Sequence, residues 1–228
     1  MDRRRFLVAA SVLAAGLGVP GQAAAQKRVT LPAPAVPGGK TLEEALRQRQ
    51  TRRDFDPRPL PDEVLSGLLW AAWGVNRPES GKHTAPTAMN RQEIEVYVAK
   101  ADGLFLYDAK EQGLSRISET DMRAATGLQS FVGTAPVNLV YVADMTKVAG
   151  KTAEEKAFFC GADTGFVSQN VYLYCAVMNL ATVVRANIDF PALAKAMSKP
   201  NLTCRRASMC SPVPTIPANP PWSRPCGV

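Results

Sequence analysis

Apolar and polar residues follow a helical period in two segments near the start of the chain's main body. In TLEEALRQRQ (41–50), the apolar residues share one face, and Thr41 and Glu44 have the spacing of a capping box. In PDEVLSGLLWAAWG (61–74), the apolar residues also share a face, and a proline and two acids stand at its start, as at many helix N-termini. We predict two helices here, the first ending near Gln50.

Four other segments have the pattern of strands. EIEVYVA (93–99) alternates polar and apolar residues, and GLFLYD (103–108) is short enough to be its hairpin partner. The β-branched, apolar run 135–144 is typical of a buried strand, and LATVVRA (180–186) is a further strand. A long polar loop, 75–92, precedes the first of these strands, and loops of this length inside a domain are usually functional or mobile.

The longest helical pattern covers residues 153–179 and is apolar almost all round. Such a helix is buried, either in the core or at a subunit interface, and Gly161 and Gly165 allow close packing. A small helix is predicted over 119–127 and a last one over 189–197. The order of elements predicts an α+β fold, in which an antiparallel or mixed sheet is flanked by helices around a long buried central helix.

The first 25 residues have the pattern of an export signal. A charged start precedes 14 apolar residues from Phe6 to Val19, which is too short a run to span a bilayer comfortably. RRRFL resembles the twin-arginine pattern, and small residues precede a cleavage site near Ala25. We expect export to the periplasm without a stable membrane anchor after cleavage; an ordinary secretory signal or an uncleaved anchor is the alternative.

The domain organisation follows from shifts in composition. Residues 26–40 are a Pro/Gly-rich extended linker, and residues 41–198 form the folded body. The tail 199–228 holds seven of the 18 prolines and three of the five cysteines, and it contains no acidic residue. Such a tail is either a disordered extension or an out-of-frame translation that replaces a native last strand.

The charge is concentrated at the two ends of the chain. The formal net charge is +7, of which residues 1–25 contribute +2 and residues 199–228 contribute +4. The remaining 26–198 carry only +1, which argues against a nucleic-acid partner. With a single histidine and no C-x-x-C pair, we also expect no metal site.

Four arginines fall within seven residues at the end of the first predicted helix. Arg49, Thr51 and Arg53 alternate along this segment, so their side chains can converge on one small anion, whereas Arg47 and Arg52 are expected to face solvent. Guanidinium groups offer forked donors that match phosphate oxygens. The alternative is a solvated, charged helix end.

A second polar cluster, APTAMNRQ (85–92), combines a tight turn with amide side chains. Its small residues leave backbone N–H groups available, and a planar ligand with polar edges would be recognised well by such a loop. An ordinary turn is the alternative. The candidate ligand-contacting residues are Pro86, Thr87, Ala88, Asn90 and Gln92.

These segments, in this order, resemble the nitroreductase family. RQTRRDF resembles its R-x-S-x-R-x-F opening, TAPTAMNRQ its A-P-S-x-x-N-x-Q loop, and DTGFVSQNVYLYCAVMNLATVV its central helix and following strand. The resemblance covers residues 41–198, and the segment around the second helix and loop is especially similar to the subgroup of thiazoline oxidases and streptolysin-type peptide oxidases. The last 30 or so residues depart from the family, which ends in a strand with a V-G-Y-P-like motif.

The resemblance implies an FMN-dependent homodimer with two sites at the subunit interface. Hydride would pass through flavin N5 to a second substrate (a nitro compound, a quinone or oxygen), and no protein side chain would be catalytic. Arg49, Thr51 and Arg53 would hold the FMN phosphate and ribityl chain. The other subunit would supply Pro86, Thr87, Ala88 and Asn90, with Gln92 from the same loop, while Arg185 would pass near N5.

Two other functional hypotheses remain open at this stage. The altered tail would be compatible with a degenerate or truncated flavin-binding protein that has lost catalysis. A structural or peptide-binding periplasmic protein without a cofactor would need no flavin at all. The identity of the electron donor, whether NADH, NADPH or neither, also stays open.

Overall fold

The computed structural model describes residues 27–35 and 39–197, together with the backbone of a short strand at 209–212. The helices are α1 Leu42–Gln48, α2 Asp62–Trp73, α3 Ala153–Met178 and α4 Phe190–Ala196. The strands are β1 Arg28–Thr30, β2 Val75–Arg77, β3 Lys82–His83, β4 Ile94–Lys100, β5 Gly103–Asp108, β6 Gly113–Ser118, β7 Val137–Ala143, β8 Thr182–Arg185 and β9 Met209–Pro212.

Five strands form one antiparallel sheet in the order β1-β6-β5-β4-β7. Val98 of β4 pairs with Phe105 of β5 on one side and with Leu139 of β7 on the other. Two small antiparallel pairs, β2 with β3 and β8 with β9, lie outside this sheet. The predicted α+β fold with an antiparallel sheet and a long central helix is confirmed.

Both faces of the sheet are covered by apolar groups. On one face, side chains such as Val98, Leu139 and Tyr141 pack against α2 and α3. On the other face, Tyr97 and the remaining alternate positions pack against α4 and neighbouring turns. Every residue of β7 is therefore buried, as its apolar, β-branched sequence predicts.

The crossing of α2 over α3 brings the two helices very close together. At Gly67 an added Cβ would stand 2.5 Å from the Tyr174 hydroxyl of α3 and 2.6 Å from the backbone oxygen of Ala35, so no side chain fits. The same Tyr174 hydroxyl donates to the Val64 carbonyl at 3.0 Å. This contact fixes α3, which has 26 residues and begins at a capping box between Thr152 and Glu155.

Three local expectations differ from the structure. The segment 26–40 is not only a linker, since β1 pairs with β6 and Leu31 is buried. The loop 75–92 contains the short β2–β3 pair. The helix predicted over 119–127 shrinks to a 3-10 turn at Arg123–Thr126, where the Asp121 carboxylate binds the Arg123 N–H and guanidinium and so favours a tight local turn.

The predicted export signal, 1–25, lies outside the described residues, as does most of the tail 199–228. The exception in the tail is β9, which pairs antiparallel with β8, Ser211 opposite Val183. Over the part of the chain that the structure describes, no helix has both the length and the apolar character required to cross a membrane.

Candidate functional site

The arginine segment leaves the end of α1 and runs beside the C-terminal half of α3. Arg49 is the residue at which α1 ends, and its guanidinium lies 5.4 Å from the centre of the Tyr172 ring. The Thr51 and Tyr172 hydroxyls are 2.9 Å apart, and the Val184 N–H donates to the same tyrosine oxygen at 3.1 Å. Tyr172 therefore joins the arginine segment to β8.

A cavity of about 460 Å³ opens beside this segment. No acidic side chain is among the described residues that line it, so the cavity is basic. Arg52 is exposed and also lines the cavity, whereas Arg53 is exposed and does not line it. The lining residues are Arg47, Gln48, Arg49, Gln50, Arg52, Tyr172, Cys175, Ala176, Asn179, Leu180 and Thr182.

The loop that follows Ala85 has an unusual backbone, in which Met89, Asn90 and Gln92 all have left-handed φ angles between 51° and 53°. This region costs free energy for residues other than glycine, so surrounding contacts must hold it. The Gln92 N–H donates to the Thr87 hydroxyl at 2.9 Å, and the Gln92 side-chain amide donates to the Gly81 carbonyl at 3.0 Å. Hydrogen bonds within the loop and to Gly81 therefore hold its left-handed backbone conformation.

A buried carboxylate on α3 holds the same loop from below. The Ala88 N–H donates to Asp163 at 3.0 Å, and Asp163 is only 2% exposed. Glu93, at the end of the loop, is 1% exposed and lies next to Asp163. Burial, and then the Asp163 carboxyl, raise the pKa of Glu93 to about 7, while Lys147 opposes this shift weakly.

The two clusters do not meet within one protomer. Asp163 and Tyr172, which contact the loop and the arginine segment, are nine residues apart on α3, or about 14 Å at the helical rise of 1.5 Å per residue. The sequence-predicted residues thus form two separate groups, one at each half of this helix. Thr87, Ala88, Asn90 and Gln92 lie in the first, and Arg49 and Thr51 in the second.

Arg185 belongs to neither group. It is 3% exposed, and its guanidinium donates to the Thr126 carbonyl at 3.1 Å and reaches the Asn138 side-chain oxygen at 3.4 Å. An added Cβ at Gly127 would overlap this guanidinium, so the glycine leaves room for it. In this structure Arg185 ties β8 to β7 and the turn before it.

The chain's one histidine is also engaged in a structural contact. The His83 ring stacks on Trp73 at 4.2 Å, and its Nδ1 lies 2.7 Å from the Trp73 carbonyl oxygen. Burial lowers the pKa of His83. Within the described residues, no group of three or more His, Cys, Asp or Glu side chains is arranged to hold a metal ion.

Sequence reasoning did not single out Tyr172, Asp163 or Glu93. Asp163 carried a detectable signal, since an acid in the middle of an apolar helix requires a partner. Glu93 was hidden because β4 alternates, and alternation alone assigns its polar positions to solvent. In the structure β4 begins at Ile94, so Glu93 lies just outside the strand and the strand's alternation does not describe it.

The five-stranded antiparallel sheet, the central helix α3 and the two polar clusters define an α+β protein of the nitroreductase type. The model of the Nitroreductase family matches residues 46–209, which is most of the chain. The chain belongs to this family, and the resemblance seen in its motifs is confirmed.

Individual proteins agree with this assignment. A crystal structure of a provisionally named nitroreductase from Ralstonia eutropha is 37% identical, with a TM-score of 0.71, over 83% of this chain and 87% of that one. A provisionally named nitroreductase of Methanocaldococcus jannaschii is 29% identical over 152 residues, covering 62% of this chain and 76% of the relative. A more distant one from Desulfovibrio desulfuricans, solved in complex with FMN, shares the fold at 18% identity, with a TM-score of 0.53, over 76% of this chain and 86% of that one.

Proposed function

We propose that this protein is an FMN-dependent oxidoreductase. The observation that carries the proposal is the acid-free cavity beside the family's arginine segment, which is lined by Arg47, Arg49 and Arg52 among others. A family member from Desulfovibrio desulfuricans has been solved with FMN, which supports the choice of cofactor. The oxidoreductase class itself follows from family membership.

The donors at this cavity fit a phosphate monoester. Guanidinium groups give charge-assisted, forked hydrogen bonds. The Thr51 hydroxyl does not line the cavity, but it lies 2.9 Å from the hydroxyl of Tyr172, which does. Arg49, Thr51 and Arg53 would hold the phosphate and ribityl chain, with Arg52 added because it lines the cavity. Arg53 is exposed and would have to turn towards the ligand.

When bound, FMN supplies the redox chemistry, and the protein's contribution is to hold and orient it. The loop 86–92 would contact the ring system and ribityl chain with its shaped backbone and the amides of Asn90 and Gln92. Arg185 would act only indirectly, through β8, because its guanidinium is occupied by Thr126 and Asn138. The second substrate would be a nitro compound, a quinone or oxygen.

The distance between the two clusters supports a homodimeric site. About 14 Å of α3 separates them in one protomer, so a second protomer could place its loop beside the arginine segment of the first. Two phenylalanines on α3 are exposed, Phe158 at 71% and Phe166 at 48%, and an added Cβ at Gly161 or Gly165 would meet nothing within 4 Å. This open apolar stripe is suited to packing against the same helix of a partner.

Export to the periplasm is part of the proposal, supported by the charged start and the apolar run of residues 1–25. Free nicotinamide cofactors are scarce there, which favours a quinone-like donor or oxygen as one of the two substrates. Cell fractionation of wild type and of a variant with Arg3 and Arg4 both changed to Lys measures this directly. Equal distribution of the two proteins between compartments would contradict a twin-arginine signal.

The phosphate assignment is tested by the double variant Arg49→Ala, Arg53→Ala. Each charge-assisted contact is worth about 1.5–3 kcal/mol, so we expect FMN affinity to fall at least tenfold per arginine while the protein stays folded. The readouts are flavin content after purification and reconstitution of apo-protein followed by flavin fluorescence.

The matched control for this experiment is Arg58→Ala. Arg58 lies five residues beyond Arg53 and is exposed, and its guanidinium pairs with Asp56. It should retain FMN like wild type. Unchanged flavin content in the double variant would show that these arginines do not bind the phosphate.

A further inference from the structure

Two carboxyl groups are buried side by side beneath the loop 86–92. Glu93 lies just before β4 and is 1% exposed, and Asp163 lies on α3 and is 2% exposed. Neither carboxyl oxygen of Glu93 receives a hydrogen bond from another described residue, whereas Asp163 accepts one from the Ala88 N–H at 3.0 Å. Burying a carboxylate without donors is costly, so this arrangement needs a compensating group.

The surrounding charges do not provide that compensation. The charged groups that act on Glu93 are Asp163 from α3, which adds negative charge, and Lys147 from the turn after β7. The Lys147 side chain is 55% exposed and pairs with Asp144 at 3.5 Å, so it is directed to another acid. Two adjacent buried carboxyls that lack a cation are expected to share one proton.

We propose that Glu93 and Asp163 share a proton and together act as a positioning pair that holds the loop 86–92 in its binding conformation. The protonated Glu93 donates to Asp163, which in turn accepts from the Ala88 N–H. This contact helps to hold the left-handed residues that follow, Met89 and Asn90. The part of this inference that concerns FMN rests on the proposed function, whereas the shared proton and the loop contact do not.

The shared proton makes the loop sensitive to pH in the physiological range. The folded pKa of Glu93 is about 7, above its ordinary value of 4.5. A raised folded pKa means that the stabilisation is complete below the unfolded pKa and is lost as the pH rises through about 7. Above that pH two negative charges face each other, and the Ala88 contact weakens.

Amide hydrogen exchange at Ala88 measures this directly, with apo-protein and in the absence of any ligand. After correction for the intrinsic pH dependence of exchange, we expect wild type to lose about tenfold of its protection between about pH 6 and 8, which is one pKa unit of differential interaction. Glu93→Gln is neutral and still offers a donor to Asp163, so its protection should be flat across this range. The same loss in Glu93→Gln, or no loss in wild type, would overturn the proposal.

The matched control is Glu95→Gln, two positions further along the chain and inside β4. Glu95 is half-buried and accepts from the Tyr97 hydroxyl at 2.9 Å, away from the loop. It should keep the wild-type pH dependence. If Glu93→Gln fails to fold by circular dichroism, Asp163→Asn removes the same repulsion from the other side, and it too should give a flat profile.

The pH dependence of FMN binding provides a second, independent test. The dissociation constant for FMN should rise several-fold from pH 6 to 8 in wild type and stay constant in Glu93→Gln. If wild type binds no FMN at any pH, the proposed function fails while the exchange experiment still decides on the carboxyl pair. If FMN binds but both proteins respond identically to pH, the proposed function stands and the positioning role is wrong.

Discussion

The arginine segment and the loop 86–92 offer polar groups to the same proposed ligand, yet they are held in different ways. The loop is fixed by hydrogen bonds within itself and by Asp163, which is buried beneath it. The arginine segment is exposed over residues 50–54 and is tied to the body by Tyr172 and by the bond between the Arg52 N–H and the Thr182 carbonyl. The loop is shaped before a ligand arrives, whereas the arginine segment keeps its charges available.

This difference matches the chemistry each region would perform. A flat ring system is recognised by a surface of fixed shape, because its polar edge atoms have fixed directions. A phosphate is recognised mainly by charge, and long arginine side chains can adjust to it at the cost of rotamer entropy. We therefore expect substitutions in the loop to affect stability and substitutions in the arginine segment to affect binding.

The largest effect is expected from a change that keeps two protomers apart and leaves the loop and the arginine segment of each protomer unaltered. The double variant Phe158→Asp, Phe166→Asp places charges on the open apolar stripe of α3, two turns apart on one face. If two protomers complete the site, size-exclusion chromatography with light scattering should show monomers, and FMN should be lost. Leu128→Asp, at another exposed apolar residue, should leave the dimer intact, and a double variant that stays dimeric would disprove this interface.

A matched pair of smaller changes compares the two regions directly. Thr87→Val removes the acceptor of the half-buried Gln92 N–H, which should lower the free energy of unfolding by about 1–2 kcal/mol. Thr51→Val removes an exposed hydroxyl, and we expect a change below about 0.5 kcal/mol. Urea denaturation of both variants measures the difference, and equal losses would show that the arginine segment is held as firmly as the loop.

A loss between those two is expected at Tyr172, whose side chain ties the arginine segment to β8. Tyr172→Phe deletes the oxygen that accepts from the Val184 N–H and contacts the Thr51 hydroxyl. Because water can replace it at this partly open position, the loss of stability should be about 0.5–1 kcal/mol. Thermal unfolding measures it. A loss of several kcal/mol would mean that Tyr172 is a core residue rather than a surface tie.

Much of the fold could be predicted because local signals agreed with tertiary packing. The capping boxes at Thr41 and Thr152 lie where helices begin, and the apolar run of β7 lies at the centre of the covered sheet. The strands β1 and β6 were missed for a physical reason. β1 has three residues at a sheet edge, and β6 carries Ser115 and Arg116 at half-buried positions, so neither has a strong apolar period.

The candidate site could be predicted only in its sequence-local parts. The arginine segment and the loop are short contiguous motifs, so their residue types were visible. The partners that hold them come from α3: Asp163 is 75 residues from Ala88 along the chain, and Tyr172 is 121 residues from Thr51. Pairing across such distances depends on how α3 crosses the sheet, and no local pattern encodes that crossing.

Gly67 allows the close contact between α2 and α3, the helix that both regions contact. Because no side chain fits between α2 and α3 at that point, the two helices meet backbone against ring, with no compressible layer between them. A displacement of α2 is then transmitted to α3 as a rigid shift, which carries Asp163 and Tyr172 together. The loop and the arginine segment would therefore move together with α3, and the length of helix between Asp163 and Tyr172 keeps their spacing constant.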